Sequence, residues 1–323
     1  MTHLIHLFLL SAAFSLPAIA QETTKEVKTV SVTNVDSETS VHHASLGTSV
    51  HHASLGTSVH HASSGSSVHH APSGASVHVP FPGTKSKWHE GDRYDFKFEG
   101  RDAIVVAPLK AAPGNPWIWR PAFFDAFSNA DKALLERGFH VAYLDVTNDY
   151  ASPRSIKLGN SFYKEMVENH HLSSKVVMEG LSRGGLYSLI WASRNPNSIA
   201  CLYLDAPLCD VFTCLKKLHK RSWETLLKEW ELTEETLDRF DGNPIDNLEP
   251  LAKAGVPIIS VCGDADLSVP IEENMLVVRN RYQALGGTVE LIIKPGCGHH
   301  PHGLEDPQPI VEFIVSHQPE AKK

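Results

Sequence analysis

The chain has 323 residues, and 37 acidic against 29 basic side chains leave it at −8 near neutral pH. That mild acidity, with no dense basic patch and no interleaved aromatic stripe, argues against nucleic-acid binding. Beyond the first twenty residues no apolar run approaches the ~20 residues that span a bilayer, so no membrane span is expected after leader removal.

The N-terminus carries the pattern of a secretory signal peptide over residues 1–20. Leu4 to Leu16 is short and mostly apolar, and Ala18-Ile19-Ala20 is an A-x-A cleavage site before Gln21. Only the α-amine, His3 and His6 supply positive charge ahead of it, which keeps a signal anchor open as the alternative. The processed chain is expected outside the cytoplasm, secreted or periplasmic. Residues 21–86 read as a disordered linker. A unit Ser-Val-His-His-Ala-Ser-Leu-Gly-Thr starts at Ser40 and Ser49, decays from Ser58 and Ser67, and ends as a fragment at Ser76. It offers too little apolar surface to offset the backbone entropy of folding. Four His-His pairs, from His42-His43 to His69-His70, and His78 lie in it. Imidazole suits Zn²⁺, Cu²⁺ and Ni²⁺, but no Cys or carboxylate within the repeats completes a ligand set. A tether grown by tandem duplication is the preferred reading, with no metal or cofactor required.

Residues 87–318 alternate strand and helix. Asp95 to Phe98 alternates as an edge strand, Asp102 to Pro108 is a second, and Trp117-Ile118-Trp119 is an inner one. Asp125 to Gly138 places Phe127, Ala130, Leu134 and Leu135 at helical spacing and stops at a glycine. Strands follow at His140 to Val146, Lys175 to Glu179, Ser198 to Asp205, Val256 to Cys262 and Val289 to Ile293, with a closing helix from Pro309 to Ser316. The predicted class is α/β, a doubly wound, mostly parallel sheet. Residues 207–250 break the alternation after the sixth strand and read as a short helical cap. There Trp223, Leu226, Leu227 and Trp230 share one face, either as an aromatic grip on substrate or as packing against the core.

The strand from Lys175 runs into Gly180-Leu181-Ser182-Arg183-Gly184, and a helix-like run begins at once. This is G-x-S-x-G between strand and helix, where the turn exposes a nucleophilic serine and the helix N-terminus faces a developing oxyanion. Gly263-Asp264-Ala265-Asp266 and Gly298-His299 then follow the next two strands, in loops at their carboxyl ends. In this combination residues 90–318 resemble the α/β-hydrolase superfamily of serine hydrolases, similar to secreted carbohydrate esterases and to prolyl-oligopeptidase-like enzymes.

The resemblance implies a Ser182, His299, Asp266 triad. Asp264, Asp205 and Asp210 compete as the acid, and His300 and His302 as the base; His299, His300 and His302 together also resemble a metal cluster. The backbone N–H of Arg183 is the implied oxyanion donor. The second donor usually follows a His-Gly after the third strand; here Arg120-Pro121-Ala122 stands in its place. Pro121 has no N–H to give, so Ala122 is the candidate. Arg120 either fixes that loop or binds a substrate carboxylate. Of five cysteines, Cys209 with Cys214 and Cys262 with Cys297 are near enough for bridges, with none forming as the alternative. The function implied is hydrolysis of carboxylic esters, small or on an acylated or methyl-esterified polysaccharide. A serine peptidase is the second reading, disfavoured because nothing before residue 90 would make a propeller, and a non-catalytic His-rich metal binder is the third.

Overall fold

Strands β1 (Lys28–Val30), β2 (Thr84–Trp88), β3 (Gly91–Phe98), β4 (Arg101–Ala107), β5 (Trp117–Arg120), β6 (His140–Leu144), β7 (Val176–Leu181), β8 (Ile199–Asp205), β9 (Ile258–Gly263) and β10 (Val289–Lys294) form one sheet. Their spatial order is β1-β10-β9-β8-β7-β5-β6-β4-β3-β2. The computed structural model describes residues 80–319 and the backbone of β1; the signal sequence and the histidine repeats lie outside the described residues. The six strands from β6 through β10 run parallel, flanked by antiparallel pairings of β1 with β10 and of β4, β3 and β2 in turn.

Period-2 alternation divides the interior in two. In β5, Trp117 and Trp119 point to one face and Ile118 to the other. The first face is covered by α2 (Pro153–Lys164), α3 (Arg183–Arg194), α5 (Glu249–Lys253) and α6 (Met275–Ala284), the second by α1 (Asn129–Glu136) and α7 (Gln308–Ser316). Trp119 anchors the larger core, its ring centroid 4.9 Å from Trp191 and 5.4 Å from Phe162. Full burial of such a side chain stabilises by about 1.5–3 kcal/mol. Among the described residues no helix is long and apolar enough to cross a membrane.

Three boundaries differ from the sequence reading. The expected edge at residues 86 and 87 falls inside β2, and Phe81 ahead of it is already buried, 5.6 Å from Tyr94 and 4.5 Å from His170 between centroids. Strand β2 has no apolar face to betray it, because its lysines, Lys85 and Lys87, both reach Asp92 in the partner strand and blunt the sheet edge with charge. Within the stretch read as linker, β1 pairs with β10 in the register Thr29 opposite Ile292. Finally, α1 starts at Asn129 and not at Asp125. Arg120 Nη2 draws the carbonyls of Phe123 and Ala126 inward, and Asp125 and Phe127 take left-handed φ values of 65° and 52°. Phe127 therefore faces the site described next and not the core.

The cap holds α4 (Lys220–Glu229) between single-turn segments, and α5 leads from it back to the sheet. Asn274 at the start of α6 fixes the cap's origin, its Oδ1 accepting from the N–H groups of Cys209 and Asp210 at 2.8 and 3.0 Å.

Candidate active site

The chain crosses β5, moves outward to β6, and returns on the other side of β5 to make β7. Loops after β5 and β7 diverge at such a reversal, opening a crevice at the carboxyl ends of the strands. Ser182 follows β7 there and Ala122 follows β5.

The turn carrying Ser182 is strained, with φ 50° and ψ −118°. A Cβ on Gly180 would lie 2.6 Å from the Gly185 Cα, and one on Gly185 would lie 2.4 Å from the Pro207 Cβ. Strand, helix and the loop after β8 thus approach backbone to backbone, which forces Ser182 outward. The clash the glycines avoid is with each other and with Pro207, more than with the serine itself.

His299 Nε2 lies 3.0 Å from Ser182 Oγ, and His299 Nδ1 lies 2.6 Å from Asp266 Oδ2. The other oxygen of Asp266 accepts the N–H groups of Ser268 and Val269 at 2.8 and 2.9 Å. Burial alone would raise the Asp266 carboxyl, but the His299 hydrogen bond and these backbone donors outweigh it and hold it below the usual carboxylate range. An ionised Asp266 facing Nδ1 fixes the tautomer that leaves Nε2 to accept from the serine.

The rivals have other partners. Asp264 accepts the Gly296 N–H at 2.5 Å, tying the acid loop to the base loop. A backbone hydrogen bond from Ala265 to Cys297, 2.9 Å, does the same. Gly263 is required because a Cβ there would sit 2.2 Å from the Cys297 carbonyl oxygen. Asp210 accepts from the Phe212 N–H within the cap. Asp205 holds His302, Oδ1 to Nδ1 2.6 Å. His300 is exposed, stacked on Phe127 with centroids 5.6 Å apart. All five cysteines are free thiols, so neither expected bridge is present.

Arg120 is not a substrate residue. It is buried beneath the β5 loop, with Nη1 bonded to Asp131 and 3.4 Å from Glu179, and it is the loop-fixing hydrogen bonder. Trp223 and Trp230 are not a substrate platform either. Both are buried, with the Trp223 Nε1 donating to Glu234 and the Trp230 Nε1 to the Tyr150 carbonyl, at 2.7 and 2.9 Å. Cap amphipathicity here marks packing, as a period alone cannot tell a core face from a binding face.

Arg183 opens α3, so its N–H has no acceptor within the helix. Neither it nor the Ala122 N–H donates to an acceptor among the described residues. A Cβ on Gly184 would be 3.2 Å from the Ala122 Cβ, which places the two candidate donors side by side. The Arg183 side chain is held over the site by Asn148 Oδ1 at 2.9 Å and the Tyr150 hydroxyl at 3.1 Å. No carboxylate pairs with it among the described residues.

Two cavities meet at Ser182. One, about 300 Å³, is lined by Phe123, Phe127, Arg183, His299, His300 and His302; the other, about 280 Å³, by Leu208, Leu215, His219, Ser268 and Val269. A larger hollow, about 760 Å³, lies by Pro116, Phe139 and Lys175 at the amino ends of β5, β6 and β7, far from this chemistry. The sequence reading missed Phe123, Phe127, Asn148 and Tyr150. Their spacing carries no motif, and they reach the site only because loops after different strands converge.

Residues 161–317 match the prolyl oligopeptidase family. No curated protein matches the chain. Solved structures similar in fold include Porphyromonas gingivalis dipeptidyl peptidase 4, at 13% identity and TM-score 0.53 over 70% of this chain and 35% of that one. An S-formylglutathione hydrolase from Agrobacterium tumefaciens is similar at 14% identity and TM-score 0.53, over 72% and 95%. Est1E from Butyrivibrio proteoclasticus is similar at 19% and 0.51, over 70% and 98%.

The chain has the α/β-hydrolase fold, and its second half matches the prolyl oligopeptidase family. It spans about a third of the length of the peptidase named first, 35%, and close to the full length of the other two. A dipeptidyl peptidase and an S-formylglutathione hydrolase thus both stand among the proteins of similar fold.

Proposed function

We propose that this hydrolase is a secreted carboxylic-ester hydrolase acting through an acyl-enzyme. His299 Nε2 takes the proton of Ser182 Oγ as that oxygen bonds to the ester carbonyl carbon. Asp266 holds the imidazole and supports its positive charge. The backbone N–H groups of Arg183 and Ala122 receive the oxyanion, each worth roughly 3–4 kcal/mol. The imidazolium then gives its proton to the departing alkoxide. Water, deprotonated by the same Nε2, cleaves the acyl-enzyme and restores Ser182.

The observation that carries the substrate class is the charge of the two cavities. Their lining holds the Arg183 guanidinium, histidines and apolar or hydroxyl side chains, and no carboxylate. An ammonium group at a peptide N-terminus finds no counter-ion there, whereas a carboxylate does. Together with the leader pattern before Gln21 this supports an acidic or sugar-linked ester met outside the cytoplasm. The peptidase reading rests on the family match over residues 161–317.

Comparison of kcat/KM across acetylated sugar, methyl-uronate, long-chain acyl and peptide-amide substrates tests this. An acidic or sugar ester is expected to lead, and Arg183→Gln should raise KM for the acidic substrate above all. A clear win for the amide or the long-chain ester would replace the substrate class and leave the serine chemistry in place.

A further inference from the structure

We infer that His299, His300 and His302 form a binding site for one Zn²⁺-type divalent ion, and that its capture stops turnover. One ring nitrogen from each residue lies within 4.8 Å of the other two. The rings meet edge to face, each pair with centroids 4.9 Å apart and planes 65–86° from one another. The three rings are thus crowded at one corner of the site with a nitrogen of each near the other two.

The outer contacts are those of a metal site. Asp266 takes the Nδ1 of His299 and Asp205 the Nδ1 of His302, each at 2.6 Å. A carboxylate on Nδ1 fixes the tautomer whose Nε2 carries the lone pair and makes that nitrogen a better donor. Two buried carboxylates, Asp266 and Asp205, thus stand behind the trio of rings. The third ring, His300, is exposed and unburdened by any carboxylate. Zn–N bonds of 2.0–2.1 Å in a tetrahedron put ligand nitrogens about 3.3 Å apart, so the rings close up from separations of up to 4.8 Å, and the exposed ring is the one free to move. The cavity of about 300 Å³ beside the three rings gives the ion its path and leaves a fourth position for water or Ser182 Oγ.

Binding itself needs only the three imidazoles; its effect on turnover rests on the acyl-enzyme reading. An ion on His299 Nε2 occupies the lone pair that would accept the serine proton, and the Ser182 to His299 hydrogen bond is lost. No redox step or covalent change is involved, so a chelator reverses it.

The test uses the full chain and its His300→Gln variant, both titrated with Zn²⁺. The histidines of the N-terminal repeats are identical in the two and cancel in the difference. Equilibrium dialysis should show one more bound equivalent in the wild type. Hydrolysis of p-nitrophenyl acetate should fall with that binding and return with EDTA, and His300→Gln should need at least about tenfold more Zn²⁺ for the same inhibition. Equal zinc stoichiometry, or equal inhibition midpoints, would overturn the inference. So would hydrolysis that rises with Zn²⁺ and is lost in EDTA. An extra equivalent in a chain that hydrolyses no ester supports the site and removes the acyl-enzyme reading instead.

Discussion

Asp205 and His302 make a second carboxylate–imidazole pair, Oδ1 to Nδ1 at 2.6 Å, with the His302 ring edge-on to His299. The second oxygen of Asp205 accepts the Gly303 N–H at 2.7 Å and the Tyr203 hydroxyl at 3.1 Å. Its own carbonyl accepts the Ser182 N–H at 2.9 Å. One residue at the end of β8 thus ties the nucleophile turn to the base loop without touching the base. Asp205→Asn should lower kcat by up to about 10²-fold, the cost of a misplaced base, while Ser182 still reacts with a fluorophosphonate. A loss as large as that of Asp266→Asn would make Asp205 the acid, against the geometry.

Ser182→Ala should abolish turnover and probe labelling with the melting temperature preserved. Asp266→Asn and His299→Ala should each lower kcat by roughly 10³ or more. Asp264→Asn should cost far less, since Asp264 only bonds the Gly296 N–H. Steady-state kinetics on one activated ester suffices for all four.

Burial drives the Glu179 carboxyl well above its ordinary value of 4.5, against the pull of Arg120 and with the push of Asp131. Asp131 is the carboxylate bonded directly to Arg120, with Glu179 farther off at 3.4 Å. Glu179→Gln should be nearly neutral in acid, below the ordinary carboxylate value, and should gain on the wild type as pH rises above it, whereas Asp131→Asn leaves a buried guanidinium poorly paired and should cost about 3–5 kcal/mol. The sign with pH follows from linkage: the folded state keeps a proton on Glu179 that the unfolded chain has released. That stability is complete below the unfolded value and is lost as pH rises through the raised folded one. Denaturant melts at several pH values should show this decline in the wild type and not in Glu179→Gln.

Phe81 is buried ahead of β2. Compared with a chain beginning at Pro80, one beginning at Lys85 loses the ring stacked on His170. About 3 kcal/mol is expected for that loss, or roughly 6–12 °C for a domain of this size. Equal melting temperatures would show that the ring is dispensable.

The triad was legible because its chemistry is written locally. Ser182, Asp266 and His299 each sit in a short glycine-flanked loop straight after an apolar strand, and strand order places all three at one end of the sheet. Arg120, Trp223 and Trp230 misled because a residue near the site in sequence can still face inward. Arg120 stands where the family pattern has its histidine, and only the carbonyls of Phe123 and Ala126 show what it holds. β2 escaped notice since lysines replace the apolar alternation that announces a strand.

The Trp230 indole holds the Tyr150 carbonyl, and the Tyr150 hydroxyl holds Arg183. A cap residue that never meets substrate is therefore coupled, two contacts away, to the only guanidinium lining the two cavities at Ser182. Variation in the cap can shift where the Arg183 guanidinium sits while Ser182, Asp266, His299 and Arg183 themselves stay unchanged. Relatives with identical active-site residues can then diverge in substrate, and the differences to compare are those at positions 150, 230 and 242, where Gly242 makes room for the indole.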